Sequence, residues 1–466
     1  MTTVAPVREH RSDTVCSTDS GGKLAARLRA RTASDPDYWT FVGNDKRSHG
    51  HALFSYPAMM VPQLQGALMD DLLAVDPTVG ICYDPFGGSG TVLTECMRRG
   101  LDFVGSDLNP LAVLIMSVKA RPLSAPTLEP ATQAVLSEAR RDTTTVGVSF
   151  RGIDKWFNPD VIGGLSALRR GIAGLPGRDT RRFLWVCLAE TVRLVSNSRT
   201  STFKLHAYAP EVLEQRAPKP LETFERVAAA NTTQVSEQRE DLAIQGRLEW
   251  GRYVGSTAVL HADMLDEAHW PSGLTADWLM TSPPYGDNRT TVPYGQHAYL
   301  PLMWIDRADL PRTNMVDDLL GSPYRTDVAS LGGRRNRDPG TTRRELSGRS
   351  EQLANTAERL SRRAGDGLGR FLSFCADLDA AIDTIGPRLR RGAVQFWTLG
   401  DRRISGLAVP TSRIVAELSA SRGTVELTTV RRRIPNNAKR MALRNDTVPT
   451  MAAEDVLVLQ TAAAAP

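Results

Sequence analysis

Asp84-Pro-Phe-Gly-Gly-Ser-Gly-Thr91 is a glycine-rich turn fed by an apolar run, Val79 to Tyr83, and followed by a helix-compatible run, Val92 to Arg99. Gly87, Gly88 and Gly90 let the backbone turn tightly and approach a ligand closely. A second strand pattern, Leu101 to Ser106, ends on Asp107. Strand, glycine turn, helix, strand and terminal acid form the first half of a doubly wound nucleotide-binding sheet. The predicted fold class is therefore α/β, a Rossmann-like doubly wound sheet.

Three ligands compete for such a loop. A phosphate-binding loop needs Lys after its last glycine, and Thr91 stands there. A dinucleotide fingerprint needs Gly three residues beyond Gly90, and Leu93 stands there. An acid ahead of the glycines, Asp84, repels a pyrophosphate but attracts the ammonium of a methionine moiety. Asp107, at its strand end, is set to accept both hydroxyls of a ribose. Hydrogen bonds to a charged acceptor are worth about 1.5–3 kcal/mol. Asp263, in Leu260-His-Ala-Asp-Met264, is a candidate for the adenine edge. For Asp84 and Asp107 the plain alternative is a pair of helix caps, and Asp263 carries a structural alternative as well.

Further along, Thr281-Ser-Pro-Pro-Tyr285 follows an apolar segment, Ala276 to Met280. In this order the two strings resemble the cofactor and catalytic loops of the S-adenosylmethionine-dependent amino-methyltransferases that act on DNA. Asp84 to Thr91 looks like their motif I, and Gly105-Ser-Asp-Leu-Asn-Pro110 is similar to their motif II. Phe54-Ser-Tyr-Pro-Ala-Met-Met-Val-Pro62 resembles the segment they set beside the methionine end of the cofactor, an ordinary turn at Tyr56-Pro57 being the alternative. The resemblance covers roughly residues 49–120 and 255–460. It implies S-adenosyl-L-methionine as cofactor, no metal, and cofactor contacts from Tyr56, Pro57, Asp84, Phe86, Gly88, Gly90, Thr91, Asp107 and Asp263.

The implied catalytic residues are Ser282, Pro283, Pro284 and Tyr285. The lone pair of a base amine is delocalised into the ring, so a site must draw the nitrogen towards sp3 geometry by accepting its N–H bonds. Ser282 supplies a hydroxyl acceptor and the Pro283 carbonyl a second. Two prolines fix φ and remove competing backbone donors. Tyr285 offers a flat face to a base swung out of its helix. Methyl transfer is then an in-line displacement helped mainly by proximity. Ring-carbon methylation would need a Pro-Cys nucleophile, and no Cys follows a Pro in this chain. In the resembling family Ser at the first loop position is commoner among N4-cytosine enzymes, and Asp or Asn among N6-adenine enzymes. Cytosine N4 is therefore the expected target, with adenine N6 the alternative.

Between Asp84 and Thr281 lie 197 residues of sequence separation, more than three strands and two helices require. The order resembles the family's α-type arrangement, with target recognition between the halves, although Asp263 falls after the insertion. We divide the chain into a flexible tail (1–35), a cofactor half (36–120), a helical insertion (121–254) and a catalytic half (255–466). Within the insertion, Ser196 to His206 carries Arg199 and Lys204, candidates for DNA contact, although a plain polar loop is the alternative. Trp156-Phe157 reads as core packing. Residues 325–370 read as a polar loop and then a helix, with Arg334, Arg335 and Arg337 among seven arginines set to clamp phosphates; a solvated loop is the alternative. Arg431 to Met441 reads as a basic loop near the substrate.

Composition agrees with such a partner without proving one. Net charge is +5 and, of 57 basic residues, 50 are arginine, which suits bidentate phosphate and guanine contacts. GC-rich codon usage explains the same ratio. Five scattered cysteines, none in a Cys-x-x-Cys pair, argue against a disulfide framework or a zinc site. The first twenty residues lack a signal-peptide core, so the cytoplasm is expected. The expected partner is double-stranded DNA with one base flipped, with no membrane. A cognate restriction nuclease or another defence-system protein is a second class of partner, and no nuclease motif stands out in the chain. Two rivals stay open: an RNA guanine-N2 methyltransferase on the same loops, and a catalytically silent nucleic-acid-binding module.

Overall fold

A computed structural model of the chain describes residues 18–43, 48–266, 270–286, 291–311, 313–335, 338–434 and 451–462. The first half runs α1 (Thr18–Ser34), α2 (Pro62–Val75), β1 (Ile81–Asp84), α3 (Thr91–Arg99), β2 (Asp102–Asp107) and α4 (Pro110–Lys119). Six helices follow: α5 (Ala125–Arg141), α6 (Ile153–Trp156), α7 (Pro159–Ala173), α8 (Arg178–Val195), α9 (Pro210–Gln215) and α10 (Pro220–Ile244). A short hairpin, β3 (Leu248–Glu249) and β4 (Arg252–Tyr253), leads to β5 (Thr257–His261) and β6 (Ala276–Thr281). Next come α11 (Tyr294–Trp304), α12 (Met315–Leu320), α13 (Arg325–Ala329), α14 (Pro339–Ser347), α15 (Glu351–Ser361) and α16 (Gly367–Ile385). The chain closes with β7 (Leu389–Gly400), β8 (Arg402–Ile404), β9 (Leu407–Val409), α17 (Thr411–Ala420), β10 (Val425–Arg433) and β11 (Ala453–Gln460).

Every residue of β1 and β6 is buried, as strands covered by helices on both faces require. The seven-stranded order is β10-β11-β7-β6-β1-β2-β5. Strands β5, β2, β1, β6 and β7 are parallel, while β11 lies antiparallel between β7 and β10. The chain winds outward through β1, β2 and β5, then returns to the other side of β1 as β6. That reversal opens a crevice beyond the carboxyl ends of β1 and β6, where doubly wound sheets bind ligands. The Rossmann-like doubly wound sheet expected from the sequence is what the chain adopts.

One face of the sheet is covered by α1 to α3 and the other by α14 to α17. A third core joins α5, α7, α8 and α10 to α4 and α11. The helices between β2 and β5 thus share apolar contacts with the sheet's own helices. Trp156 and Phe157 are buried in that core. Strands β10 and β11 pair antiparallel from Val425–Gln460 to Arg433–Ala453.

Two expectations are corrected. Residues 18–34 of the supposed flexible tail form α1, because Leu24, Ala25 and Leu28 bury one face while Arg27 and Arg31 pair with the buried Asp71 of α2. The other residues of that tail before Thr18 lie outside the described part. Residues 325–329, 339–347 and 351–361 form helices where a polar loop was expected. Leu331, Leu346, Leu353 and Leu360 are buried against the sheet's second face, and the side chains of Asp338 and Ser350 cap α14 and α15.

Candidate active site

The glycine loop is held by its own backbone. The Gly87 amide donates to the Ser106 carbonyl at 2.9 Å, and that of Gly90 to the Gly87 carbonyl at 2.8 Å. Gly90 caps α3 at φ +76°, a conformation that glycine adopts without a Cβ penalty. The Gly88 amide donates to Asp107 Oδ2 at 2.8 Å, and the Asn109 amide to Asp107 Oδ1 at 2.7 Å. Burial pushes the Asp107 carboxyl up to about 6, against the pull of those two amides.

Asp84 lies beneath the loop, fully buried. Its Oδ1 accepts from the Thr281 hydroxyl at 2.7 Å and from the Phe86 amide at 3.1 Å. The Thr281 bond ties the glycine loop to the Ser-Pro-Pro-Tyr loop across the β1–β6 crevice. Asp84 Oδ2 has no partner among the described residues. Burial raises this carboxyl to about 7, more than the two bonds lower it. Neither acid caps a helix, because Gly90 and Asn109 are the N-caps of α3 and α4; both instead accept from loop amides, and Asp84 keeps one oxygen without a partner among the described residues.

Above these groups opens a cleft of about 860 Å³, its mouth included. Of the sequence-derived cofactor residues, Tyr56, Pro57, Phe86, Gly88, Thr91, Asp107 and Asp263 line it, and so do Ser282 and Pro284 of the catalytic set. Asp84, Gly90, Pro283 and Tyr285 are not among its lining residues. Asp263 accepts from the Leu265 amide through Oδ1 at 3.0 Å. Tyr56 and Tyr294 stand with ring centroids 5.8 Å apart, and Asn109 Nδ2 donates to the Tyr56 hydroxyl at 3.3 Å. Tyr285 sits instead against β7: a Cβ on Gly400 would come within 2.5 Å of the Tyr285 ring. Its hydroxyl accepts from Ser282 Oγ at 3.3 Å and donates to Glu454 Oε1 of β11 at 3.2 Å.

These residues fit S-adenosylmethionine. An unpartnered buried carboxylate oxygen suits an ammonium, a strand-end acid suits a ribose, and Met60, Leu108, Met264 and Leu331 give the cleft apolar walls. Sequence reasoning missed Thr281, Asn109, Tyr294 and Glu454. The Asn109-Pro110 step is a helix-start signal and so was findable; Tyr294 and Glu454 carry no local signal at all.

The DNA candidates lie further out. Residues 197–208 fold back on themselves through an isolated bridge, Ser198 to Ala207, and an Arg199 amide bond to the His206 carbonyl. Arg199 and Lys204 are exposed, while Phe203 packs edge-on to His297, one turn beyond Tyr294 on α11. Arg334 is exposed, whereas Arg335 pairs with Asp366 at 2.7 Å. Arg325, Arg343 and Arg349 pair with Asp318, Glu358 and Asp379, which weakens the seven-arginine clamp. Arg337 and residues 435–441 lie outside the described residues.

No protein-family model matches the chain. It is similar to the Type II methyltransferase M.MvaI of Kocuria varians, 28% identical over 462 residues, 95% of this chain and 98% of that one. A shorter match, 37% identical over 76 residues, covers 16% of this chain and 14% of the Type II methyltransferase M.MjaII of Methanocaldococcus jannaschii. Among solved structures, the rRNA methyltransferase aviRa of Streptomyces viridochromogenes superposes with a TM-score of 0.31 at 14% identity, over 87% of this chain and 86% of that one. No helix among the described residues is long and apolar enough to cross a membrane. With the doubly wound sheet, the crevice between its two loops and a relative matched nearly from end to end, the chain is similar to the Type II methyltransferases.

Proposed function

We propose that this chain transfers a methyl group from S-adenosylmethionine to the N4 amine of a cytosine flipped out of double-stranded DNA. The reading rests on one observation above others. The 2.7 Å bond from Thr281 to Asp84 joins the two loops, so that Ser282 and Asp107 line one cleft. The relative from Kocuria varians, a Type II methyltransferase by name, supports DNA as the substrate and a cognate restriction nuclease or other defence-system protein as the counterpart. The cytoplasm is the compartment we assign.

S-adenosylmethionine, when bound, supplies an electrophilic methyl group on a sulfonium. Asp107 accepts from the ribose hydroxyls, Asp84 Oδ2 receives the methionine ammonium, and Asp263 meets the adenine edge. Ser282 Oγ accepts an N–H of the target amine, which localises the nitrogen lone pair. Pro283 offers its carbonyl as a second acceptor, and Pro284 restricts the backbone on which both depend. Tyr285 stands next to the base position. Arg199 and Lys204, exposed beside the α11 side of the cleft, and the exposed Arg334 hold backbone phosphates. Ser282, rather than Asp or Asn, supports cytosine N4 over adenine N6.

Modification-sensitive sequencing of DNA from cells with and without the protein tests this. The expected result is an N4-methylcytosine mark at one recurrent sequence. An N6-methyladenine mark would correct the base, and a mark confined to RNA would overturn the substrate.

A further inference from the structure

We propose that Glu454 is a positioning residue that fixes the hydrogen-bond polarity of Ser282, an inference that rests on Ser282 being the amine acceptor. Glu454 comes from β11, 169 residues from Tyr285 in sequence, and does not line the cleft. Its Oε2 is held by Arg432 through Nε at 2.7 Å and Nη2 at 2.5 Å. A carboxylate paired with a guanidinium only accepts. The Tyr285 hydroxyl therefore has to spend its single proton on Glu454 Oε1. It is left as an acceptor towards Ser282, whose own proton points at Tyr285 across 3.3 Å. With that proton committed inward, the lone pairs of Ser282 Oγ are what the cleft meets.

A serine hydroxyl is otherwise free to rotate, and a rotamer that donates to an amine nitrogen would occupy the very lone pair that has to attack. The relay Arg432–Glu454–Tyr285–Ser282 removes that choice before substrate arrives. Burial, and the neighbouring Glu454 charge, hold the Tyr285 phenol well above its usual range, so its proton stays available to donate. Gly400 completes the device, because any side chain there would collide with the Tyr285 ring.

Glu454→Gln supplies the decisive test. Arg432 donates only, so it takes the amide oxygen and turns the Gln NH2 towards Tyr285. The relay then reverses: Tyr285 accepts from the amide and donates to Ser282, which presents its proton to the cleft. Single-turnover methylation of duplex DNA is expected to slow about tenfold or more, with cofactor Kd unchanged. Tyr285→Phe breaks the relay without reversing it and is expected to slow the step less. Adding Tyr285→Phe to Glu454→Gln should therefore restore the rate to that of Tyr285→Phe alone, and Glu454→Asp should keep more activity than Glu454→Gln. A double variant whose losses multiply, or a Glu454→Gln rate equal to wild type, overturns the relay. Should Glu454→Gln fail to fold, Tyr285→Phe against wild type still decides: an unchanged rate overturns it. A Ser282→Ala variant run in parallel separates the two levels. If it retains full activity, the reading of Ser282 itself falls; if it is inactive while Glu454→Gln is normal, only the relay falls.

Discussion

The glycine loop and the Ser-Pro-Pro-Tyr loop sit side by side at the same crevice, yet they are held by different means. The first is fixed by main-chain bonds within its own turn and by two strand-end acids. The second contains two prolines, which donate nothing, and is fixed by side chains reaching from β11 and β10. A backbone-held loop tolerates side-chain change except where φ is positive. A side-chain-held loop loses its geometry one partner at a time. Damage to the first is therefore expected to appear in cofactor binding and stability, and damage to the second in the rate of the chemical step.

Ser282→Ala is the largest effect predicted. Removing one preorganised hydrogen-bonding group from a reacting centre typically costs about 10²–10³ in kcat. Rapid-quench single turnovers should show that loss, while calorimetry finds cofactor affinity unchanged. A raised cofactor Kd instead would erase the division between the loops. Next in size is Asp107→Ala. Losing charged-acceptor bonds worth about 1.5–3 kcal/mol raises cofactor Kd by roughly 10- to 100-fold, with kcat at saturating cofactor close to wild type.

The same division explains what could be read from the sequence. The glycine loop was legible because its determinants are local: Gly87, Gly88 and Gly90 encode the turn, and Asp84 and Asp107 stand at the ends of recognisable strands. The sheet was legible for the same reason, through short apolar runs with turns between them. The supports of the second loop were not, since Glu454 and Gly400 meet Tyr285 only after β7 and β11 have paired. Residues 325–361 misled in another way. Dense arginine suggested a solvated phosphate clamp, but the caps at Asp338 and Ser350 and the buried leucines around them make helices. Several of those arginines then face acids brought in by other helices. In α1, Gly21 and Gly22 hid an apolar stripe only a few residues long.

Asp84 gives a pH-dependent prediction. Its carboxyl is raised to about 7 in the folded chain by burial, and a methionine ammonium needs it ionised. Cofactor affinity should therefore rise by about tenfold per pH unit below 7 and level off above it. For stability the sign is opposite. A raised carboxyl contributes stability that is fully present below its unfolded value and lost as pH rises through about 7. The cofactor-free protein should gain from acid in this window while the cofactor-bound protein loses. Asp107, raised to about 6, adds a smaller rise centred lower, so Asp84→Asn should leave a shallow residual slope. Isothermal titration from pH 5.5 to 8.5 on both proteins measures this; identical slopes would remove the ammonium role of Asp84.

Gly90→Ala is the smallest effect and the sharpest probe of how the first loop is held. At φ +76° an alanine pays the left-handed penalty, and its Cβ would lie 2.9 Å from Met116 Cγ. The conformational part alone is roughly 1–2 kcal/mol, so urea unfolding should show a loss of at least about 1 kcal/mol. Gly90 is not a lining residue of the cleft, and neither Ser282 nor the relay behind it touches this position. The chemical step at saturating cofactor and low temperature should therefore run at nearly the wild-type rate. If Gly90→Ala slowed that step as much as it lowered stability, the two loops would have to move as one body through the Asp84–Thr281 bond, and the separation of their roles would fail.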